Sequence, residues 1–263
     1  MCGRYFIDMD PDDDELEEIM QDLNRRGLLR RTDTSGSSGV ADAVASATGS
    51  GVSDHRAGPS SEDGHPQVCG TSGAPGTAKG NAGIPPLKTC GEIFPTDIVP
   101  VVANGREGGS ARTGGFVRPG RPRAFAMRWG YTLNGSRRVI NARSETAAER
   151  PMFLDGMRTR RLLIPASGYY EWLRHDKKGQ KYAIRPDAGG SFYMAGIYRF
   201  EVGTPVFTIL TREPDPSIAF IHDRMPVILP HEAAGDWLNL RYDARDVLRA
   251  AARGPLHMTA AAV

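Results

Sequence analysis

Along most of this chain the apolar positions come in short runs or alternate with polar ones, and a 3.6-residue period surfaces in few places. Residues 2–7 read as a short strand with Tyr5 and Ile7 on one side. In "DPDDDELEEIMQDLNRRG", Leu16, Ile19, Met20 and Leu23 fall at i, i+3, i+4 and i+7, which predicts a helix. Acids crowd its first turn, where the helix dipole favours them, Arg25 and Arg26 sit near its end, and Gly27 can stop it. From residue 32 to 91 the pattern vanishes. That stretch holds twelve Gly and no aromatic residue, so it cannot bury enough apolar surface to offset ordering, and it predicts a disordered insertion.

Structured sequence resumes at "EIFPTDIVPVV", and "NGREGGSARTGG" at 104–115 reads as a long hairpin tip. Strand-like runs follow at 123–131, 137–142, 161–174, 181–185, 192–200, 205–211 and 224–230. Two short helices, near 231–239 and 243–253, close the chain. Many strands with few helices predict an antiparallel β-rich α+β domain rather than alternating βαβ units. No internal repeat is present, so the expectation is one domain over 1–263 carrying the 32–91 insertion.

Composition narrows the picture modestly. With a net charge of +2 over 263 residues, no global field draws the protein onto nucleic acid. Locally, residues 118–161 hold eleven Arg against Glu145, Glu149 and Asp155, a candidate anion-binding face or a solvated arginine-rich surface. Three cysteines, Cys2, Cys69 and Cys90, argue against a disulfide framework and a zinc knuckle; a metal role for His55, His65 and Cys69 is remote. No signal peptide and no apolar run of ~18 residues is seen, which predicts a reducing, intracellular setting without membrane insertion.

Reactive side chains concentrate in four stretches: "MCGRY" with Cys2 and Arg4, "NARSET" with Asn141 and Arg143, "PASGYYEW" with Glu171, and "IHDRMP" with His222 and Arg224. Each has a plainer reading. Cys2 can be a buried thiol, Asn141 a turn residue, Glu171 the exposed position of a strand, and His222 a core histidine. If Met1 is trimmed, however, Cys2 carries an α-amine and a thiol that together can close a five-membered ring on an aldehyde.

Taken in order, "MCGRY", "NARSET", "RRLLIPASGYYEW" and "IHDRMPVIL" resemble the SRAP (SOS response-associated peptidase) family, over residues 1–30 and about 92–240. The resemblance implies a barrel-like β-rich core with a few peripheral helices. It implies an enzyme that senses abasic sites in single-stranded DNA and crosslinks to them through a thiazolidine at Cys2. Self-removal of Met1 belongs to the same expectation. The free α-amine has a pKa of about 7.7–8.0, so roughly a tenth is reactive at neutral pH. Glu171 would shuttle protons, His222 would hydrogen-bond the sugar oxygen freed on ring opening, and Asn141 would hold the terminus. Arg4 and Arg143 would contact phosphates, with Arg128, Arg161 and Arg224 as further candidates and Thr211 beside them. Trp129 would stack a base, worth about 1–3 kcal/mol. No metal or cofactor is expected. The partner would be abasic single-stranded DNA, and the protein a cytoplasmic monomer, on the nucleoid when bound. Two rivals stay open: a thiol peptidase or amidohydrolase of the N-terminal-nucleophile kind, and a non-catalytic single-strand binder. "TREPDPS" and the terminal "PLHMTAAAV" depart from the family's pattern.

Overall fold

The computed structural model describes residues 3–8, 13–29, 86–107, 118–174, 179–187, 189–251 and 256–261. In chain order its strands begin with β1 (Arg4–Ile7), β2 (Gly91–Ile93), β3 (Ile98–Glu107), β4 (Arg118–Trp129), β5 (Tyr131–Leu133), β6 (Arg137–Val139) and β7 (Asn141–Arg143). They continue with β8 (Arg161–Ala166), β9 (Gly168–Trp172), β10 (Lys181–Pro186), β11 (Phe192–Glu201) and β12 (Thr204–Arg212). The short β13 (Met225–Pro226), β14 (Ile228–Leu229) and β15 (Leu256–Ala261) end the set. The helices are α1 (Asp14–Arg25), α2 (Ser144–Ala147), α3 (Pro151–Thr159), α4 (His231–Leu238) and α5 (Ala244–Ala250). The fold is α+β, a strand-rich barrel-like core with helices around it.

Five strands close on themselves in the order β12–β4–β3–β8–β11 and back to β12. A ring with an odd number of strands cannot be antiparallel throughout, and the one parallel contact falls between β12 and β4, Val206 beside Arg128. Strand alternation then divides the apolar residues between two faces. Val99, Val101, Met127, Leu162, Ile164, Phe207 and Ile209 belong to one buried cluster. Their alternates Val102, Leu163, Ile197, Val206 and Leu210 join a second cluster with residues of the helices. The first lot fills the barrel; the second lies under α1 and α3–α5. Gly196 belongs to β11 because a Cβ there would stand 2.5 Å from Ile164 Cδ1 and 2.7 Å from Leu162 Cδ1.

Helix α1 forms as its period predicts. Asp13 Oδ1 accepts from Leu16 N at 3.1 Å, Leu16, Ile19 and Leu23 are buried, and Gly27 leaves in the left-handed region at φ +70°. Asp22 Oδ2 accepts from Ala124 N at 2.9 Å, which fastens the helix to β4.

The 161–174 run is two strands, not one. At Ser167 the chain leaves the barrel as β8 and enters a second sheet as β9, in the order β15–β10–β9–β1–β2. Ser167 N donates to Phe6 O, and Ser167 Oγ accepts from Asp8 N, each at 2.9 Å. Gly168 follows because the Phe6 ring occupies its side-chain space: a Cβ there would lie 2.1 Å from Phe6 Cζ.

Other expectations meet the structure unevenly. The long hairpin forms, with β3 and β4 antiparallel as far as Glu107 opposite Arg118, though 108–117 lie outside the described residues. Of the predicted insertion, residues 32–85 lie outside the described residues, whereas 86–91 belong to the fold: Leu87 bridges Ile98 and Gly91 opens β2. Cys90 is disulfide-bonded, a single link that the odd cysteine count did not suggest. Helix α3 escapes a sequence reading because Pro151 starts it and Gly156 weakens it; that glycine lets the helix approach Ile197, whose Cβ would be 3.0 Å from an added one. The divergent C-terminus contributes β15, paired with β10 along its length.

Gly168→Ala is expected to lower stability by about 1–3 kcal/mol, the usual range for overpacking. It would appear as a lower urea midpoint at unchanged slope. Adding Phe6→Ala should make the double variant less unstable than the sum of the single ones. An unshifted midpoint for Gly168→Ala would show that Phe6 swings aside freely.

Candidate functional site

Strand β9 presents its residues alternately to two faces. Tyr169 points inward and is fully buried, and Glu171, two residues on, is 5% exposed. The strand is hydrogen-bonded on both sides, with Tyr170 opposite Arg4 on β1 and Glu171 opposite Tyr182 on β10. A carboxylate in that position cannot escape by fraying. His222 arrives from the turn after β12. Ile218 and Ile221 root that turn in the core, and Arg174 N donates to Ile221 O at 3.1 Å, tying it to the end of β9. The result brings His222 Nε2 within 4.0 Å of Glu171 Oε1.

Burial raises the Glu171 pKa above the ordinary carboxylate range, opposed by the charge of the chain's amino terminus, a hydrogen bond to it, the Trp172 backbone N–H and Arg174. Burial pushes His222 down to about 4, and the amino terminus and Arg174 push the same way while Asp223 opposes them. The imidazole is therefore neutral at pH 7, and at 4.0 Å from Glu171 it forms neither an ion pair nor a direct hydrogen bond with that carboxyl but leaves room for a substrate group between them. Both neutral tautomers have a partner at Nδ1. With the proton on Nε2, Nδ1 accepts from Arg224 N at 3.1 Å; with it on Nδ1, the ring donates to Asp223 Oδ1 at 2.9 Å. The Nε2 facing Glu171 can thus present either a proton or a lone pair.

Cys2 lies outside the described residues. The amino-terminal charge nevertheless acts on Glu171, His222 and Asp223.

The remaining candidates sort by burial. Arg4 stays half-exposed, its guanidinium between the rings of Phe94 at 4.7 Å and Trp172 at 4.9 Å, with Nη1 on Glu92 Oε1 at 3.1 Å. Asn141 opens β7 beside Ile209, and Arg143 ends it, exposed, opposite Thr211. Five expectations are corrected. Trp129 is fully buried in the barrel and donates from Nε1 to Ile140 O at 2.9 Å, so no base can stack on it. Arg161 is a buried brace whose Nε donates to Met157 O at 2.8 Å and whose Nη2 donates to Tyr242 O at 3.0 Å. Arg224 grips both Glu145 oxygens, at 2.9 and 2.7 Å, and Thr211 O at 2.6 Å, so it joins α2, β12 and the His222 turn rather than a phosphate. Thr211 is itself buried, its hydroxyl donating to Ala142 O at 3.4 Å. Arg128 is not beside this pair at all; it stands next to Glu201 at the other end of β11.

Sequence reasoning passed over Lys181 and Arg174. Lys181 is buried with Nζ 3.1 Å from Glu92 Oε1 and 3.8 Å from the Tyr170 ring centre. Glu145, two residues after Arg143 in "NARSET", stands out in the sequence as a reactive side chain without a role, and the structure gives it one as the partner of Arg224. Among the described residues no group of three or more His, Cys, Asp or Glu is placed to hold a metal, and no helix is long and apolar enough to cross a membrane.

Comparison with known proteins follows the same residues. The family model described as SOS response associated peptidase (SRAP) matches residues 79–263. The abasic site processing protein YoaM of Bacillus subtilis is 36% identical over 135 residues, which cover 47% of this chain and 60% of that protein. The abasic site processing protein YedK of Escherichia coli is 34% identical over 132 residues, 48% of this chain and 60% of its own. The abasic site processing protein HMCES of Xenopus tropicalis is 27% identical over 150 residues, 43% and 44% of the two chains. The matched part thus spans about 60% of the length of the bacterial relatives. A crystal structure of a protein from Bordetella bronchiseptica superposes with a TM-score of 0.52 at 25% identity, covering 70% of this chain and 90% of that one.

The depressed His222 pKa has a sign that can be checked. The unfolded imidazole takes up a proton near its ordinary value of 6.5, whereas the folded one waits until about 4. Stability contributed by the neutral ring is therefore present above pH 6.5 and lost as pH falls toward 4. Ring ¹⁵N shifts of His222 should keep neutral values at pH 5.5; titration with a midpoint near 6.5 would contradict this environment.

Proposed function

Because the chain belongs to the SOS response associated peptidase (SRAP) family, we propose that it processes abasic sites in single-stranded DNA by forming a thiazolidine with Cys2 once Met1 is gone. The observation that carries this reading is the buried Glu171 with the partly exposed His222 4.0 Å away and the chain's amino-terminal charge acting on both. An abasic deoxyribose exchanges between a ring-closed hemiacetal and an open aldehyde at C1′. Ring opening needs a proton on the sugar ring oxygen and loss of one from the C1′ hydroxyl. Glu171, whose raised pKa keeps a proton within reach, delivers the first and as carboxylate takes up the second, while the neutral His222 ring hydrogen-bonds the freed sugar oxygen through Nε2–H.

The α-amine then attacks C1′, and a C–N bond replaces the carbonyl π bond. The carbinolamine loses its hydroxyl as water after protonation by Glu171, whose raised pKa keeps a proton within reach. The Cys2 thiol adds to the resulting imine, its sulfur bonding C1′ and its proton passing to nitrogen. One water is released overall. A lysine would stop at the imine, which hydrolyses; the second bond makes the adduct last.

Removal of Met1 by the protein itself belongs to this reading. Arg4 and Arg143, both accessible, serve as phosphate contacts flanking the lesion, and Asn141 holds the processed terminus. The protein acts as a cytoplasmic monomer, on the nucleoid when bound, and its residues 1–263 form one domain around an insertion that ends before residue 86.

Intact mass tests the proposal. Protein lacking Met1, incubated with a single-stranded oligonucleotide bearing one abasic site, should gain the oligonucleotide's mass less one water. Cys2→Ala should give no hydrolysis-stable adduct, and Glu171→Gln should slow capture by roughly 10²–10⁴-fold, the range for loss of a general acid–base group. Processed protein without adduct would sink the proposal, and turnover of a peptide without any DNA would favour a hydrolase.

A further inference from the structure

At the end of β11 away from Glu171, three arginines gather round one acid. Glu201 Oε1 accepts from Thr132 N at 2.7 Å and from Arg199 Nε and Nη2 at 3.0 and 2.6 Å. Its Oε2 accepts from the Thr132 hydroxyl at 2.5 Å. The acid is thereby occupied by Thr132 and Arg199. Arg128 Nη2 and Arg138 Nη1 stand 3.9 and 3.8 Å from that same Oε2, beyond hydrogen-bond distance. Arg138 has one other partner, the Thr132 hydroxyl, and Arg128 Nε is buried without one.

Two guanidiniums that share a saturated carboxylate repel one another. Burial lowers the Arg128 pKa, the Arg138 charge lowers it further, and Glu201 only partly offsets them. Both side chains keep about a quarter of their surface open, at 26% each. An oxyanion placed between them would accept from both and remove the repulsion, and a tetrahedral one matches paired guanidiniums.

The tip beyond Glu201 supports a binding surface. Val202 and Gly203 turn the chain with φ +48° and +79°, and Val202 is fully exposed. The two-residue turn between the paired Glu201 and Thr204 needs positive φ at both positions, so the backbone fixes the geometry but does not call for a β-branched residue there. Val202 offers an apolar contact beside the arginine pair.

We propose that Arg128 and Arg138 form a second anion site, for a phosphate group, at the barrel end opposite Glu171. The phosphodiester of a single DNA strand is its source, an assignment that rests on the DNA reading above. Arg128 lies beside Val206 on β12, three residues from Ile209, the partner of Asn141, so Arg128 and Asn141 stand about 10 Å apart along the strand. The site therefore lies within reach of the nucleotides that flank the lesion.

The test begins with unmutated protein. Inorganic phosphate should move the Nε–H resonances of Arg128 and Arg138, and Arg128→Gln should weaken that binding at least tenfold. With an intact single-stranded oligonucleotide, Arg128→Gln or Arg138→Gln should reduce the slope of log K against log salt by about 0.7, one phosphate contact's worth. Phosphate binding with an unchanged oligonucleotide slope would overturn DNA as the source and leave a free phosphate. No resonance movement with either probe would overturn the site. Adduct mass on an abasic oligonucleotide, measured on the same sample, separates the two proposals: adduct without an arginine response sinks this one alone, and the converse sinks the lesion chemistry alone.

Discussion

The hydrogen bonds of Ser167 to β1 decide what the rest of the molecule can do. One strand must serve both the barrel and the outer sheet, and the change happens within a single residue. Ser167 holds the backbone of Phe6 and Asp8 there, and Gly168 leaves room for the Phe6 ring. That junction docks β1 against β9, and it sets which face of β9 carries Glu171. Without it the amino-terminal strand would have no template, and the acid would have no fixed neighbour.

Around Glu171 the fold creates opposed demands that suit proton traffic. Burial disfavours the carboxylate and disfavours the imidazolium at His222, so each group prefers its neutral form. The positive chain terminus moves Glu171 back toward ionisation but drives His222 further from protonation. A single charge thus biases the pair in a consistent sense, with the proton leaving the acid before it reaches the ring. The Arg224–Glu145 fork keeps this arrangement in place from outside, joining three segments far apart in sequence.

Period and turn chemistry made much of this legible. Alternation in "RYFI" placed Tyr5 and Ile7 inward, and the 3.6 period with its acidic first turn marked α1. Glu171 and His222 were readable because "GYYEW" and "IHDRMP" carry reactive groups in unusual company. The arginines were not. Arg161 and Arg224 look like surface charge in one dimension, yet each is buried and held by backbone carbonyls or an acid 79 residues away in sequence. Trp129 failed for the same reason: its alternation with Met127 signals a barrel interior only once the strands are known to close. Ring closure is a long-range property, and no local pattern carries it.

The pairing of Ile7 with Gly91 has a further consequence. The chain leaves β1, builds α1, and must come back to the strand beside the one it left. Leu28, Leu29 and Leu87 all pack on one cluster, so departure and return points are pinned by the same apolar surface. Between two anchored ends, doubling the connecting length costs only about 0.6 kcal/mol of closure entropy. The architecture is therefore nearly indifferent to what is spliced in at that point. Evolution can lengthen it, and an engineer can graft a fluorescent or affinity module there, while the barrel and its reactive end register almost nothing.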